Sequence, residues 1–114
     1  MQAFTVKGDW ALKIYNGEKT IETRTYNTNY RGPVLITCSK YPENKLSGKA
    51  FAIAKLINSR MMETMDEAKA CCKVYPKARS WVLADIRKIK LFPVNGQLRL
   101  FEIDTHGQIE LEEE

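Results

Sequence analysis

Apolar and polar positions alternate along this chain with two different periods, and the switches between them predict its elements. Residues 1–7 alternate at period two and put Phe4 and Val6 on one side of a short opening strand. Trp10, Ala11 and Ile14 then share one face at helical spacing while Lys13 points away. Asp9 precedes them as a candidate N-cap, and Asn16-Gly17 supplies a stop, because glycine takes the left-handed C′ conformation without a Cβ penalty. Residues 20–24 return to period two, with Ile21 and Thr23 on one face and Glu22 and Arg24 on the other. A polar loop over 25–30 closes on the turn signal Arg31-Gly32-Pro33. Residues 33–39 are apolar on both faces in their middle, which predicts a central strand. After a connection at 40–48, residues 50–57 predict a second strong strand. Phe51, Ile53 and Ile57 occupy one face, and Ala50, Ala52, Ala54 and Leu56 the other. The small face implies close approach of another element, such as the first helix. Alanine also favours helices, but aromatic and β-branched partners at even spacing decide for a strand.

Residues 61–74 predict a helix, with Met61, Met65, Ala68 and Cys72 forming an apolar stripe that Pro76 stops. Asp66 offers an alternative cap for a shorter helix. Residues 80–86 read as a strand, with Trp81 as a core residue, and 88–94 run from basic to apolar, ended by Pro93. Asn95-Gly96 is a type I′ hairpin signal that would pair the stretch before it with residues 97–103. The apolar positions in that last stretch change phase between Leu100 and Phe101, which implies a bulge or burial on both faces. His106-Gly107 reads as a turn, and the acidic end is expected to fray. Several short strands and two helices without regular β-α alternation predict an α+β fold: a small mixed β-barrel flanked by two helices. One domain over 1–109 followed by an acidic tail at 110–114 is the expected organisation.

Composition narrows the class. The 44% apolar and 28% charged residues are ordinary for a soluble globular protein. No apolar run approaches a membrane span and the first residues lack the apolar core of a signal peptide, so a cytoplasmic location and no membrane contact are expected. Cys38, Cys71 and Cys72 are odd in number and two are adjacent, which suits a reducing compartment without disulfides. The net charge of +4 conceals an asymmetry, because Glu110, Glu112, Glu113 and Glu114 are four of the fourteen acids. Residues 1–109 carry eighteen basic and ten acidic residues, a net of +8. A basic body invites a polyanion, and the acidic end can screen it. Lys73, Lys77, Arg79, Arg87, Lys88 and Lys90 form a candidate phosphate-tracking flank. A lone histidine, His106, and cysteines without metal-ligand spacing give no zinc site and no Ser-His-Asp triad, and no phosphate-cradling glycine loop is present. No metal and no cofactor are expected.

Chemistry concentrates at Lys19, Glu22 and Arg24, which the helix, its glycine stop and the short strand bring together beside Trp10. Arg24 can fork onto a phosphate or base edge, Lys19 can supply a point charge, and Glu22 can accept from an exocyclic amine or activate water. Tyr26 and Tyr30, in the polar loop, are candidates for stacking on a nucleobase. Ser39 and Lys40 leave the central strand where a barrel mouth would lie.

Trp10-Ala11, Ile14, the G-x-K-x-x-E-x-R run from Gly17 through Lys19 and Glu22 to Arg24, and Arg31-Gly32 before an apolar strand resemble the signature of the ASCH (activating signal cointegrator homology) family. That resemblance implies a PUA-like β-barrel associated with RNA, acting as a monomer that binds RNA or a nucleoside-like ligand, in a cleft that can recognise a modified base. It also implies an enzymatic alternative. Some members of the wider family are amidohydrolases that remove an acyl group from the exocyclic nitrogen of cytidine with a Lys-Thr-Glu site. Lys19 falls on the family lysine, whereas Glu22 stands at the threonine position. A metal-independent ribonuclease using Lys19 and Glu22 is a related possibility. Binding ranks ahead of catalysis.

Overall fold

The computed structural model describes residues 1–112. In chain order the elements are β1 (Gln2–Val6), α1 (Gly8–Tyr15), β2 (Ile21–Arg24), β3 (Gly32–Cys38), β4 (Lys49–Met61), a 3-10 turn (Thr64–Asp66), α2 (Glu67–Ala70), β5 (Arg79–Pro93) and β6 (Phe101–Glu102). The strands form a six-stranded mixed sheet in the order β2-β5-β4-β3-β1-β6. Among the described residues only β1 and β3 pair in parallel, Phe4 opposite Ile36, and α1 belongs to the crossover between them. The sheet is open. The outer strands β2 and β6 have four and two residues and do not pair with each other, so among the described residues the sheet does not close into the expected barrel. Instead the sheet buries both faces. Phe4, Val34, Ile36, Leu56 and Trp81 pack with α1 on one side, while Ala3, Leu35, Ile89, Phe92 and Phe101 pack on the other. A third cluster of Ile21, Met62, Ala70 and Ala78 seats α2.

Local differences from the sequence expectations have physical causes. Helix α1 starts one residue before Asp9, with Lys7 at the N-cap. Asp9 therefore sits in the first turn, where its charge suits the helix dipole. Register shifts in β4 put Phe51 into the same core as Ala52, Ala54 and Leu56, and Ile57 faces solvent at 53% exposure. A bulge breaks the period-two pattern there. The long helix over 61–74 does not form. Strand β4 runs through Met61, and Met61 and Met65 are exposed, so the apolar stripe had no core to face. The shorter helix forms with Asp66 in the N-cap position of α2, but the Asp66 carboxylate accepts the Glu63 N–H at 2.9 Å and so closes the 3-10 turn before α2 instead of capping α2 itself. Cys71, left-handed at φ 60°, has ended the helix well before Pro76.

The Asn95-Gly96 hairpin is also absent. Neither residue has positive φ, and β6 pairs with β1, not β5. The Val94 N–H instead donates to the Gly48 carbonyl at 2.9 Å, and Gly96 lies flat against Thr5, which sends the chain across to β1. Residues 110–112, expected to fray, lie along β5: Leu111 bridges Ile89, the Lys90 N–H donates to the Glu110 carbonyl at 2.7 Å, and the Lys90 ammonium pairs with the Glu110 carboxylate at 2.9 Å. The rest of that acidic end, Glu113 and Glu114, lies outside the described residues. Cys38, Cys71 and Cys72 are free thiols. Among the described residues no helix is long and apolar enough to cross a membrane.

Candidate functional site

The site grows out of how α1 ends. Asn16 is the C-cap and Gly17 takes φ 83°, so the N–H groups of Glu18 and Lys19 both turn back to the Lys13 carbonyl at 2.9 and 3.1 Å. That tight reversal drives Lys19 inward. It is 1% exposed, with its ammonium donating to the Ala70 carbonyl at the end of α2. The same ammonium lies 4.9 Å from the centre of the Trp10 indole and 3.7 Å from Glu22 Oε1. A cation at a helix C-terminus and over an indole face is favourable on both counts.

Strand β2 then supplies Glu22 and Arg24 from one face, as period two requires. Glu22 is 7% exposed; its Oε1 accepts the Thr23 N–H at 3.1 Å and its Oε2 pairs with Arg24 Nη2 at 3.1 Å. Arg24 reaches across the sheet to donate to the Thr5 carbonyl at 2.7 Å and the Leu98 carbonyl at 3.4 Å, with its guanidinium 5.6 Å from both the Phe4 and Trp81 rings. Its Nε is buried and finds no hydrogen-bond partner among the described residues. Two cations and one carboxylate leave this nearly buried cluster with a formal charge of +1.

A cleft of about 570 Å³ opens over the cluster. Trp10, Lys19, Glu22, Arg24 and Ser39 line it, together with Thr5, Lys7, Thr23, Cys72, Tyr75, Gln97 and Leu98. A larger cavity of about 920 Å³ lies by Tyr15, Ala52, Leu83 and Lys88, but none of the three clustered charges reaches it. Convergent charges and an indole mark the smaller cleft as the candidate site. Lys40 is exposed and stands in an adjoining cleft, next to Ser39, whose hydroxyl donates to the Tyr41 carbonyl at 2.7 Å. The two candidate stacking tyrosines lie elsewhere. Tyr26 packs edge-on against Trp81 at 5.5 Å, with the Arg99 guanidinium 4.2 Å from its ring centre. Tyr30 donates from its hydroxyl to the Pro33 carbonyl at 2.7 Å and packs against the core.

Several cleft residues carried no sequence signal. Thr23 was assigned to the face away from the charges, yet it lines the cleft because β2 is an edge strand and the cleft wraps around it. Its hydroxyl pairs with that of Tyr75 at 2.9 Å, which fixes the connection between α2 and β5 as the cleft's outer wall. The basic flank does not form one stripe. Lys73 and Lys77 belong to that connection, whereas Lys90 pairs with Glu110 and Lys88 covers the Tyr15 ring at 4.4 Å.

An open mixed sheet with a cationic cleft beside its first helix defines a small α+β domain built around one charged site. The ASCH domain family matches residues 4–93, and the chain belongs to it. The ASCH protein of Zymomonas mobilis superposes with a TM-score of 0.71 at 12% identity, covering 92% of this chain and 88% of that one. A tyrosine-to-phenylalanine mutant of the same Zymomonas mobilis protein gives 0.62 at 14% identity, over 82% and 75%. These likenesses are ones of fold. No curated protein matches the chain.

Proposed function

We propose that the cleft binds RNA and holds one unstacked base against Trp10. The observation that carries this reading is the convergence of Lys19, Glu22 and Arg24 on the floor of a concave site beside an indole, in a family that is generally RNA-binding. The indole gives a π-face for a base, Glu22 and Thr23 offer groups that discriminate its polar edge, and the exposed Lys7 on the wall meets a phosphate. A modified base is within the reach of such an edge-reading pocket. Burial favours a reader over a hydrolase: Lys19 is 1% exposed and its ammonium is engaged by Glu22, Ala70 and Trp10, so a substrate in the cleft meets the other walls first.

The test is fluorescence anisotropy of short single-stranded RNAs across a salt series. Each neutralised phosphate contributes a slope of about −0.7 in log affinity against log salt. Lys7→Ala and Lys73→Ala each remove one exposed positive charge, but only Lys7 lines the cleft. The expected result is a clear loss for Lys7→Ala and a small one for Lys73→Ala. Equal losses leave only a diffuse basic surface, and absence of binding at low salt overturns the reading. RNA or an acylated nucleoside should be returned unchanged; turnover that Glu22→Gln abolishes would establish an enzyme instead.

A further inference from the structure

Leu98 is 91% exposed and lines two adjoining clefts. On one side lies the Lys19 cleft; on the other lies a cleft of about 320 Å³ at Ser39, Lys40 and Gly96. Both volumes exceed the roughly 300 Å³ at which small-molecule sites begin. A single exposed leucine is ordinary on a protein surface. Here, however, the backbone beneath it is pinned. The Leu98 carbonyl accepts from Arg24 Nη1 and from the Tyr26 hydroxyl, each at 3.4 Å. The Gln97 N–H donates to the Thr5 hydroxyl at 3.2 Å, and a Cβ on Gly96 would stand 2.7 Å from that same hydroxyl. The loop therefore hugs β1 while one apolar side chain is held out into water. Exposed cations flank it: Lys7 beside the first cleft, Lys40 in the second, and Arg99 next in sequence.

We propose that the site takes two adjacent nucleotides of single-stranded RNA, one base in each cleft, with Leu98 as the wedge between them. This rests on the RNA reading above and extends it to a second subsite at Ser39 and Lys40. Separating stacked bases exposes their faces, and an apolar side chain entering the gap replaces part of the lost stacking. The flanking lysines suit the phosphates on either side of the splayed step. Thr5 and Ser39 line both clefts, so the two bases would sit over a continuous polar floor.

The experiment uses a hexaribonucleotide carrying 2-aminopurine at an internal position, whose fluorescence rises when the base unstacks. Wild-type protein should bind it and brighten it several-fold over the free oligonucleotide. Leu98→Ala should bind about tenfold more weakly, the scale of one lost stacking contact, and brighten it little. Leu98→Phe should restore both. Because the leucine side chain is nearly all in solvent, the alanine variant should melt at the wild-type temperature. RNA binding with affinity and brightening unchanged in Leu98→Ala would overturn the wedge and leave the RNA reading standing. Failure of wild-type protein to bind any RNA would overturn both.

Discussion

Replacing Lys19 with methionine keeps the unbranched shape of the side chain to within one atom of its length and removes its charge, which isolates what the buried ammonium contributes. Three contacts disappear: the ion pair to Glu22 at 3.7 Å, the hydrogen bond to the Ala70 carbonyl, and the cation over Trp10. Breaking a buried ion pair by deleting one partner costs about 3–5 kcal/mol when the other charge is left bare. Glu22 is not bare, because Arg24 and the Thr23 N–H remain on it, so the loss from the pair lies below that range. The Ala70 carbonyl loses a donor in a buried place, which costs about 1–3 kcal/mol. A total near 3 kcal/mol follows, offset slightly by the thioether's packing. At about 2.1 cal/mol/K per residue, unfolding of a 114-residue chain loses roughly 4 °C per kcal/mol, so Tm should fall by about 12 °C. Calorimetry gives the value directly, and Lys73→Met, at an exposed position, should stay within about 2 °C of wild type. A Lys19→Met protein melting within about 3 °C of wild type would refute the assignment of Lys19 as the clamp between α1, β2 and α2.

Three further outcomes are expected. The Arg60 guanidinium, paired through both nitrogens at 2.7 Å, holds the Asp66 carboxyl well below its usual 3.8, helped by the Glu63 N–H and the Ser80 hydroxyl against the opposing effect of burial. Below pH 3.8 the unfolded chain takes up a proton there before the folded one, so this group withdraws about 1.4 kcal/mol of stability per pH unit as pH falls; Asp66→Asn should flatten that slope in urea titrations, and an unchanged slope would contradict it. Gly8→Ala should lower stability by about 1–3 kcal/mol, because the added Cβ collides with the Pro42 carbonyl oxygen and stands 2.8 Å from Asn44 Nδ2; an unchanged Tm would mean the 40–48 connection yields freely. Removing residues 110–114 frees Lys90 from Glu110 and deletes four acids, so RNA affinity should rise at low salt and converge with wild type at high salt, which the same anisotropy series measures.

Local pattern made part of this protein legible. The sequence from Trp10 to Arg24 reads as helix, stop and strand, and each step is a short-range matter of spacing or of glycine's conformational freedom, so the charged cluster was visible in advance. The central strand was equally plain, since Val34, Ile36 and Cys38 feed one core and Leu35 the other. What failed was whatever depends on distant chain. Met61 and Met65 keep helical spacing, but β4 extends past Arg60 because β5 pairs with it as far as Arg79. Asn95-Gly96 has hairpin chemistry, yet the bonds offered by Gly48 and Thr5 take the chain elsewhere. The same holds for the cleft. Its floor is written in one short run of sequence, whereas Tyr75 and Leu98 arrive from connections that only the sheet order brings alongside.

The cleft account is tested most directly by the two tryptophan indole N–H resonances, followed by NMR as short single-stranded RNA is added. Trp10 lines the cleft, while Trp81 is fully buried with its indole N–H donating to the Tyr26 carbonyl at 3.2 Å. The account predicts a large, saturable shift of the Trp10 indole, accompanied by the backbone amides of Lys7, Thr23 and Leu98, with Trp81 moving much less. Shifts spread over Lys73, Lys77, Lys88 and Lys90 with Trp10 unmoved would contradict it.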